Sequence, residues 1–249
     1  MSGLSLRERL AGNLLSWKLY HFLFADYSFL DRIFKLPIVR DYLGIHAGRT
    51  LDFGCGGGTY THLLSRKTDI LVNADIQYHG LQRLSRRHRH HKKIHSLVSI
   101  ASKIPLADKS LDTIICLEVL EHLPEGEDQA CLEEFARILR SGGKFILSTP
   151  VPPGYVDNPS KDPYGHKREG YTLMALSDML AKAGFDVERS EYCFFKVYKW
   201  YFKFLRSFFE IVGSYPPSIL VVPVLFDYFY AIKGSQNEPG NVVILAIRV

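Results

Sequence analysis

Short apolar runs alternate with amphipathic stretches through the middle of the chain, between residues 49 and 195. Runs such as 49–53 and 111–118 have the length and the β-branched content of buried strands, whereas 127–140 repeats its apolar residues at helical spacing. The same pattern predicts strands over 69–75, 94–100, 144–150 and 185–195, and helices over 60–67, 80–91 and 172–184. Strands that alternate with helices predict parallel βαβ units in a doubly wound α/β sheet, which binds ligands beyond the carboxyl ends of its strands.

Two segments do not follow this alternation. Residues 1–48 are aromatic-rich and amphipathic, which predicts an N-terminal helical cap, and residues 195–240 separate the last two strands. The second segment sets a basic stripe beside aromatic residues, a pattern typical of a membrane-interface helix that equally fits a lid or a dimer contact. We therefore divide the chain into a cap (1–48), a core (49–194 and 241–249) and an aromatic, basic insertion (195–240).

Composition limits the class of protein. The chain has 249 residues, a net charge of +5 and four scattered cysteines without a CxxC pair, which we interpret as reduced, mostly buried thiols. No apolar stretch reaches the roughly 18 residues that a transmembrane helix needs, and the N-terminus lacks the pattern of a secretory signal. We expect a cytoplasmic protein, with peripheral attachment to a membrane left open and the oligomeric state undetermined.

A basic run extends over residues 83–95, inside a longer stretch (76–107) that contains no acidic residue. The simplest interpretation is a solvated helix face. An anionic membrane surface, an acidic substrate or a nucleic acid would fit the same charge.

Four glycines lie within Gly54–Gly58, directly after the first predicted strand. A phosphate-binding P-loop would need a following lysine, and a dinucleotide fingerprint would need glycine where Thr59 stands. Asp52 would repel a pyrophosphate but attract a cation, and Asp75 ends the second strand, where an acid can accept hydrogen bonds from a ribose. A ribose joined to a positively charged group describes S-adenosylmethionine.

The successive segments LDFGCGGG, NADI, PLADKSLDTIICLEVLEHL, RILRSGGKFILSTP and LAKAGFDV resemble, in order and spacing, the motifs of class I S-adenosylmethionine-dependent methyltransferases. The resemblance implies a Rossmann-like, seven-stranded sheet whose last strand is antiparallel. It also implies that the cofactor is bound by Asp52, Gly54, Cys55, Gly56, Gly58, Asp75, Ile76, Ser99, Leu117 and Glu118. The family often has an acid after the third strand that contacts the adenine, where this chain offers only residues 99–102, Ser-Ile-Ala-Ser.

Candidates for the reacting centre follow the fourth predicted strand. The pattern E-x-x-E-H, with His166 downstream, is similar to two branches of the family, the O-methyltransferases of ubiquinone biosynthesis and the enzymes that methylate the terminal 2′-hydroxyl of small RNAs. In both branches the pattern implies a divalent metal, here held by Glu118, Glu121, His122 and His166. Alternatively, His122 or His166 acts as a general base, or the glutamates only cap a helix and line the pocket.

The Asn-Pro-Pro-Tyr type of signature found in many N-methyltransferases is absent, which favours methylation at oxygen or carbon. We expect S-adenosylmethionine-dependent methyl transfer to a small or lipid-like acceptor, at oxygen. Two alternatives stay open, an RNA 2′-O-methyltransferase and a catalytically silent methyltransferase fold that only binds.

Overall fold

The central sheet contains the predicted strands, and the strands in its middle bury their apolar side chains on both faces. A computed structural model describes residues 27–151, 165–168, 170–193, 211 and 240–249, with side chains from residue 34 onward. The strands are β1 (Gly48–Phe53), β2 (Thr68–Asp75), β3 (Ile94–Val98), β4 (Leu111–Leu117), β5 (Leu139–Pro150), β6 (Phe185–Cys193) and β7 (Asn241–Arg248). The helices are α1 (Tyr27–Leu43), α2 (Thr61–Lys67), α3 (Tyr78–Arg87), α4 (Glu127–Ile138) and α5 (Leu173–Lys182), with a short 3₁₀ turn at Leu120–His122.

The strand order of the seven-stranded sheet is β3-β2-β1-β4-β5-β7-β6. Strands β1 to β5 pair in parallel, and β7 pairs antiparallel with both β5 and β6. The predicted Rossmann-like sheet with an antiparallel last strand is thereby confirmed. The order reverses between β1 and β4, so the cleft beyond their carboxyl ends is where a sheet of this type binds ligands.

Several boundaries differ from the pattern-based prediction. The helix predicted over 127–140 ends at Ile138, and Gly142 and Gly143 lie inside β5 rather than closing that helix. The pairing of β4 with β5 shifts register between Leu111 and Thr113, which lets the two glycines bulge out. The helix predicted over 80–91 runs from Tyr78 to Arg87 instead.

Helix α1 belongs to the hydrophobic core of the sheet. Phe34, Val39 and Tyr42 are buried in one cluster with Ile146 of β5 and Val243 of β7. The described part of the predicted cap therefore packs on the same sheet that carries the glycine loop, and it covers the face opposite α4.

Other sequence-based predictions fall outside the described residues. Residues 1–26 and, apart from Ile211 and Gly240, the whole proposed insertion 195–240 are in this group. In the portion of the chain that is described, no helix is both long enough and apolar enough to cross a membrane. The four cysteines, Cys55, Cys116, Cys131 and Cys193, are all buried.

Candidate functional site

A cavity of about 680 Å³ opens at the carboxyl ends of β1, β2 and β4. Its lining comes from the loops after these strands, from the segment after β3 and from the segment around residue 165. The lining residues are Phe53, Gly54, Asp75, Ile76, Gln77, Ser99, Ile100, Ala101, Ser102, Glu118, Val119, His122, Leu123, Pro124, Glu127 and Gly165. Because the first strands end here, the cavity brings residues together that are far apart in the sequence.

The glycine loop forms the floor beside β1. The amides of Gly54 and Cys55 both donate to the Ala74 carbonyl, at 2.8 and 3.1 Å, which ties the loop to β2. Gly54 has φ +71°, and a Cβ atom there would lie 2.2 Å from Cγ2 of Val119. This position therefore requires glycine, both for its backbone conformation and for the close approach of the segment after β4.

The other predicted loop residues lie outside the described lining of the cavity. A Cβ at Gly58 would lie 2.3 Å from Cδ1 of Leu84, so this glycine allows α3 to pack closely. Cys55 is buried in a small cluster with Leu81 and Leu84. Leu117 packs on the α1 side of the sheet.

Asp75 is placed and oriented at the end of β2. Its Oδ2 accepts a hydrogen bond from the Gly56 amide and its Oδ1 one from the Gln77 amide, both at 2.8 Å. The two amides hold the carboxylate at the rim of the cavity. Ile76 beside it is 68% exposed and offers an apolar surface to a flat ligand.

Asp52 lies beneath the glycine loop and is almost completely buried. Its Oδ2 has no hydrogen-bond partner among the described residues, nor has the Nδ2 of Asn73, its neighbour in register on β2. Burial and, to a lesser degree, the charge of Asp75 raise the pKa of Asp52 to about 7. Among the described residues Asp52 does not line the cavity, although sequence analysis predicted it as a cofactor-binding residue.

The segment after β3 offers hydroxyl and backbone groups instead of an acid. Ser99 is buried, and its Oγ lies 3.0 Å from the carbonyls of both Ile100 and Lys103, to either of which it can donate its single proton. Its amide donates to the Asp75 carbonyl at 3.2 Å. Ser99, Ile100, Ala101 and Ser102 all line the cavity.

Glu118 follows β4 in an unusual left-handed backbone conformation, with φ 57°. Its carboxylate accepts hydrogen bonds from Ser148 Oγ at 2.7 Å and from Asn241 Nδ2 at 2.9 and 3.0 Å. Lys35 Nζ of α1, which is 1% exposed, lies 3.0 Å from its Oε1. Burial alone would raise the pKa of Glu118, but Lys35 and these hydrogen bonds outweigh burial and lower it.

Glu121 has the opposite environment in the following 3₁₀ turn. It is fully buried; its Oε2 accepts a hydrogen bond from Thr149 at 3.1 Å, and its Oε1 has no hydrogen-bond partner among the described residues. Burial, together with the charge of Glu118, raises the pKa of Glu121 well above its usual range.

Two histidines lie beside Glu121. The rings of His122 and His166 stack with centroids 4.6 Å apart and an interplanar angle of 16°. Nε2 of His122 is 4.0 Å from the free Oε1 of Glu121. One ligand atom from each of Glu121, His122 and His166 lies within 4.8 Å of the others, a spacing that a metal ion could bridge.

The site thus assembles part of what the sequence predicted. Gly54, Asp75, Ile76, Ser99, Glu118 and His122 line the cavity. Of the four predicted metal ligands, three come together, whereas the Glu118 carboxylate is already held by Lys35, Ser148 and Asn241.

Lys35 and Asn241 were missed by the sequence analysis. Lys35 had one signal, a single cation in the apolar stretch FKLPIV. Asn241, at the start of an apolar strand, had none.

Comparisons of sequence and of fold match this chain to methyltransferases. Residues 51–147 match the sequence model of the family described as "Methyltransferase domain". The ubiquinone biosynthesis O-methyltransferase of Xanthomonas oryzae pv. oryzae is 32% identical over 118 residues, which are 46% of this chain and 48% of that protein. A protein of Mycolicibacterium smegmatis, named as an S-adenosylmethionine-dependent methyltransferase, is 33% identical over 148 residues, 57% of this chain and 54% of its own. The chain spans about half the length of these curated relatives.

Among solved structures, the N-methyltransferase NodS from Bradyrhizobium japonicum, in complex with S-adenosyl-L-homocysteine, superposes with a TM-score of 0.59. The match covers 97% of this chain and 95% of that one at 14% identity, so it speaks for the fold alone. The sheet order and the superposition show a Rossmann-like methyltransferase fold, and residues 51–147 match the methyltransferase-domain family.

Proposed function

We propose that this protein transfers a methyl group from S-adenosylmethionine to a hydroxyl oxygen of a small acceptor. One observation carries the proposal: a single cavity is lined by Asp75, by Gly54 of the glycine loop and by His122. The curated relatives whose name includes O-methyltransferase support oxygen as the accepting atom.

The cofactor end is argued from charge and hydrogen-bonding capacity. The oriented carboxylate of Asp75 would accept hydrogen bonds from the ribose hydroxyls, and Ile76 would pack on the adenine. Asp52 is buried, and its Oδ2 has no donor within the described part of the chain, so its carboxylate would favour the positive charge of the cofactor. The predicted roles of Gly56, Gly58, Cys55 and Leu117 would then be indirect, through the shape of the loop and the packing of its neighbours.

The acceptor end is argued from the histidine pair. His122 or His166 would take the proton of the acceptor hydroxyl, because a neutral imidazole at hydrogen-bonding distance is the usual general base for a hydroxyl. The same residues also fit a divalent metal, since the buried Oε1 of Glu121, which has no donor among the described residues, lies next to both rings. When bound, such an ion would lower the pKa of the acceptor hydroxyl.

We further propose a lipid-like acceptor and a cytoplasmic location, with reversible contact to a membrane surface. The relatives named for ubiquinone biosynthesis support a lipid-like acceptor. The basic run over 83–95 supports an anionic surface, and the scattered cysteines without a CxxC pair support a reducing compartment.

The experiment is a methyl-transfer assay with labelled S-adenosylmethionine and catechol as the simplest aromatic hydroxyl acceptor. His122→Ala and His166→Ala should each lower turnover by about 100-fold, the usual contribution of general acid–base catalysis, with cofactor affinity unchanged. His95→Ala is the matched control, because this exposed histidine lies on the edge strand β3.

Three other outcomes would overturn parts of the proposal. Unchanged turnover in both histidine variants would remove their catalytic assignment. Cofactor binding without transfer to catechol, to lipid extracts or to RNA would favour the silent binding fold. Methylation of RNA, with affinity that falls steeply with salt, would favour the 2′-O-methyltransferase alternative.

A further inference from the structure

A partly buried arginine joins the segment that carries His166 to α4 and to the turn that carries His122. The Arg168 guanidinium donates from Nη1 to Oδ2 of Asp128 in α4 at 2.6 Å. From Nη2 it donates to the carbonyls of Leu123 and Pro124, at 2.9 and 3.1 Å. One side chain therefore contacts both α4 and the end of the 3₁₀ turn.

Tyr171 completes this arrangement. Its hydroxyl lies 3.1 Å from Oδ2 of Asp128 and 3.2 Å from the Leu120 carbonyl, and it can donate its single proton to either. The Arg168 guanidinium carbon lies 5.3 Å from the centroid of the Tyr171 ring. Asp128 and Tyr171 are both buried, so these polar contacts are shielded from water. We call Asp128, Arg168 and Tyr171 the clamp.

A backbone hydrogen bond also fixes the segment after His166, on the Glu121 side of His122. The Lys167 amide, next to His166 in the chain, donates to the Glu121 carbonyl at 2.8 Å. The residues that directly follow His166 are thus fixed to the turn Leu120–Pro124, and the two imidazole rings face each other across this junction. A stacked ring pair is a weak attachment, worth about 1 kcal/mol in other proteins, so the fixed backbone must set its geometry.

Resting on the proposed function, we propose that Arg168, paired with Asp128, is the positioning residue that holds His166 against His122 and so shapes the acceptor end of the site. Arginine is required because its planar fork reaches a carboxylate and two carbonyls at once, which a lysine ammonium cannot do from the same place. Arg168 acts through His166, and it does not itself line the described part of the cavity.

The experiment follows the histidine rings directly. In protein labelled with ¹³C-histidine, the Cε1–H signals of His122 and His166 are assigned with His122→Ala and His166→Ala. In the wild type, ring stacking should shift both signals away from the position of the exposed His95. In Arg168→Lys and Asp128→Asn, both signals should move towards the His95 position. Turnover with catechol should fall about 10- to 100-fold, because catalysis depends steeply on placement, while the dissociation constant of S-adenosylhomocysteine changes less than about twofold.

Arg140→Lys is the matched control. Arg140 forms an ion pair with Asp112, at 2.7 Å, near the amino ends of β5 and β4. The cavity lies at the carboxyl ends, so this change should leave the histidine signals and turnover as they are. Histidine signals that stay at their wild-type positions in both Arg168→Lys and Asp128→Asn would overturn the proposal.

The test separates the clamp from the function on which it rests. If the histidine signals move in the clamp variants but the wild type neither binds cofactor nor transfers methyl, the proposed function fails and the positioning role stands. Tyr171→Phe removes only one hydroxyl and should shift the same signals less. It therefore provides the readout if Arg168→Lys or Asp128→Asn does not fold.

Discussion

Glu118 and Glu121 are three residues apart, yet their surroundings shift the pKa values of their carboxyl groups in opposite directions. Lys35, Ser148 and Asn241 hold Glu118 as an anion, whereas burial next to that anion favours the neutral form of Glu121. Two carboxyl groups with separated pKa values can take different roles, here a structural anchor and a candidate ligand. The sequence placed both in one metal site, because the cation that distinguishes them comes from α1, more than 80 residues earlier.

At the same scale, Asp75 and Gly54 were predictable and the conformation of Glu118 was not. Asp75 ends one apolar strand and Gly54 directly follows another, so their place at the carboxyl edge follows from the strand pattern alone. A left-handed backbone at a glutamate goes against local preference, and it is maintained by tertiary contacts from β5, β7 and α1.

The buried Asp52 predicts a pH effect on stability. The folded protein keeps its proton up to a pKa of about 7, whereas the unfolded chain releases it near the usual value of 3.8. Stability therefore falls as the pH rises through this window, because the folded state then binds more protons than the unfolded state. Asp52→Asn should stabilise the protein relative to the wild type at pH 7.5, by up to about 4 kcal/mol, and have little effect at pH 4.

Urea unfolding of wild type and Asp52→Asn at several pH values measures this difference. The comparison of the two proteins cancels the titration of all other groups, to a first approximation. A difference that does not change between pH 4 and pH 7.5 would show that Asp52 titrates normally in the fold.

At the scale of elements, α1 contributes both packing and a charge to the site. The pattern of 1–48 predicted a helix, and Tyr27–Leu43 is one, but amphipathicity alone could not show that it packs on β5 and β7. Strand β5 also shows that a local sequence pattern does not predict how distant segments pair. The pair Gly142–Gly143 marks a helix end by local rules, whereas the bulged pairing with β4 places it within the strand.

Lys35→Met should therefore lower the free energy of unfolding, because it removes the cation that pairs with Glu118. It would leave the Glu118 carboxylate without its cation in a largely buried place, which we expect to cost about 2 kcal/mol of unfolding free energy, since Glu118 keeps partial contact with water. Lys35→Met combined with Glu118→Gln should recover most of that loss, because the uncompensated charge is gone.

Urea unfolding of the single and double variants provides the measurement, and Arg40→Met is the control, because this exposed cation lies on the same helix. A double variant that is no more stable than Lys35→Met alone would argue against the charge pairing.

At the scale of the whole molecule, the fold follows from the alternation of strands and helices along the chain. The position of the site follows from the order of the strands in the sheet. The order of strands and helices predicted the doubly wound sheet, and the reversal between β1 and β4 brings Gly54, Asp75 and Glu118 to one cleft. The clamp between α4 and the segment after β5 could not be predicted, because Asp128 and Arg168 are separated by 40 residues and carry no local motif.

The central claim is that this cleft binds S-adenosylmethionine through Asp75, and calorimetric titration tests it most directly. S-adenosylmethionine and S-adenosylhomocysteine are titrated into the wild type, into Asp75→Ala and into Asp69→Ala, whose exposed carboxylate lies at the other end of β2. We predict binding to the wild type and to Asp69→Ala with the same affinity, and at least about tenfold weaker binding to Asp75→Ala, because two charge-assisted hydrogen bonds are lost. The absence of binding heat in the wild type, or equal affinity for wild type and Asp75→Ala, would contradict the account.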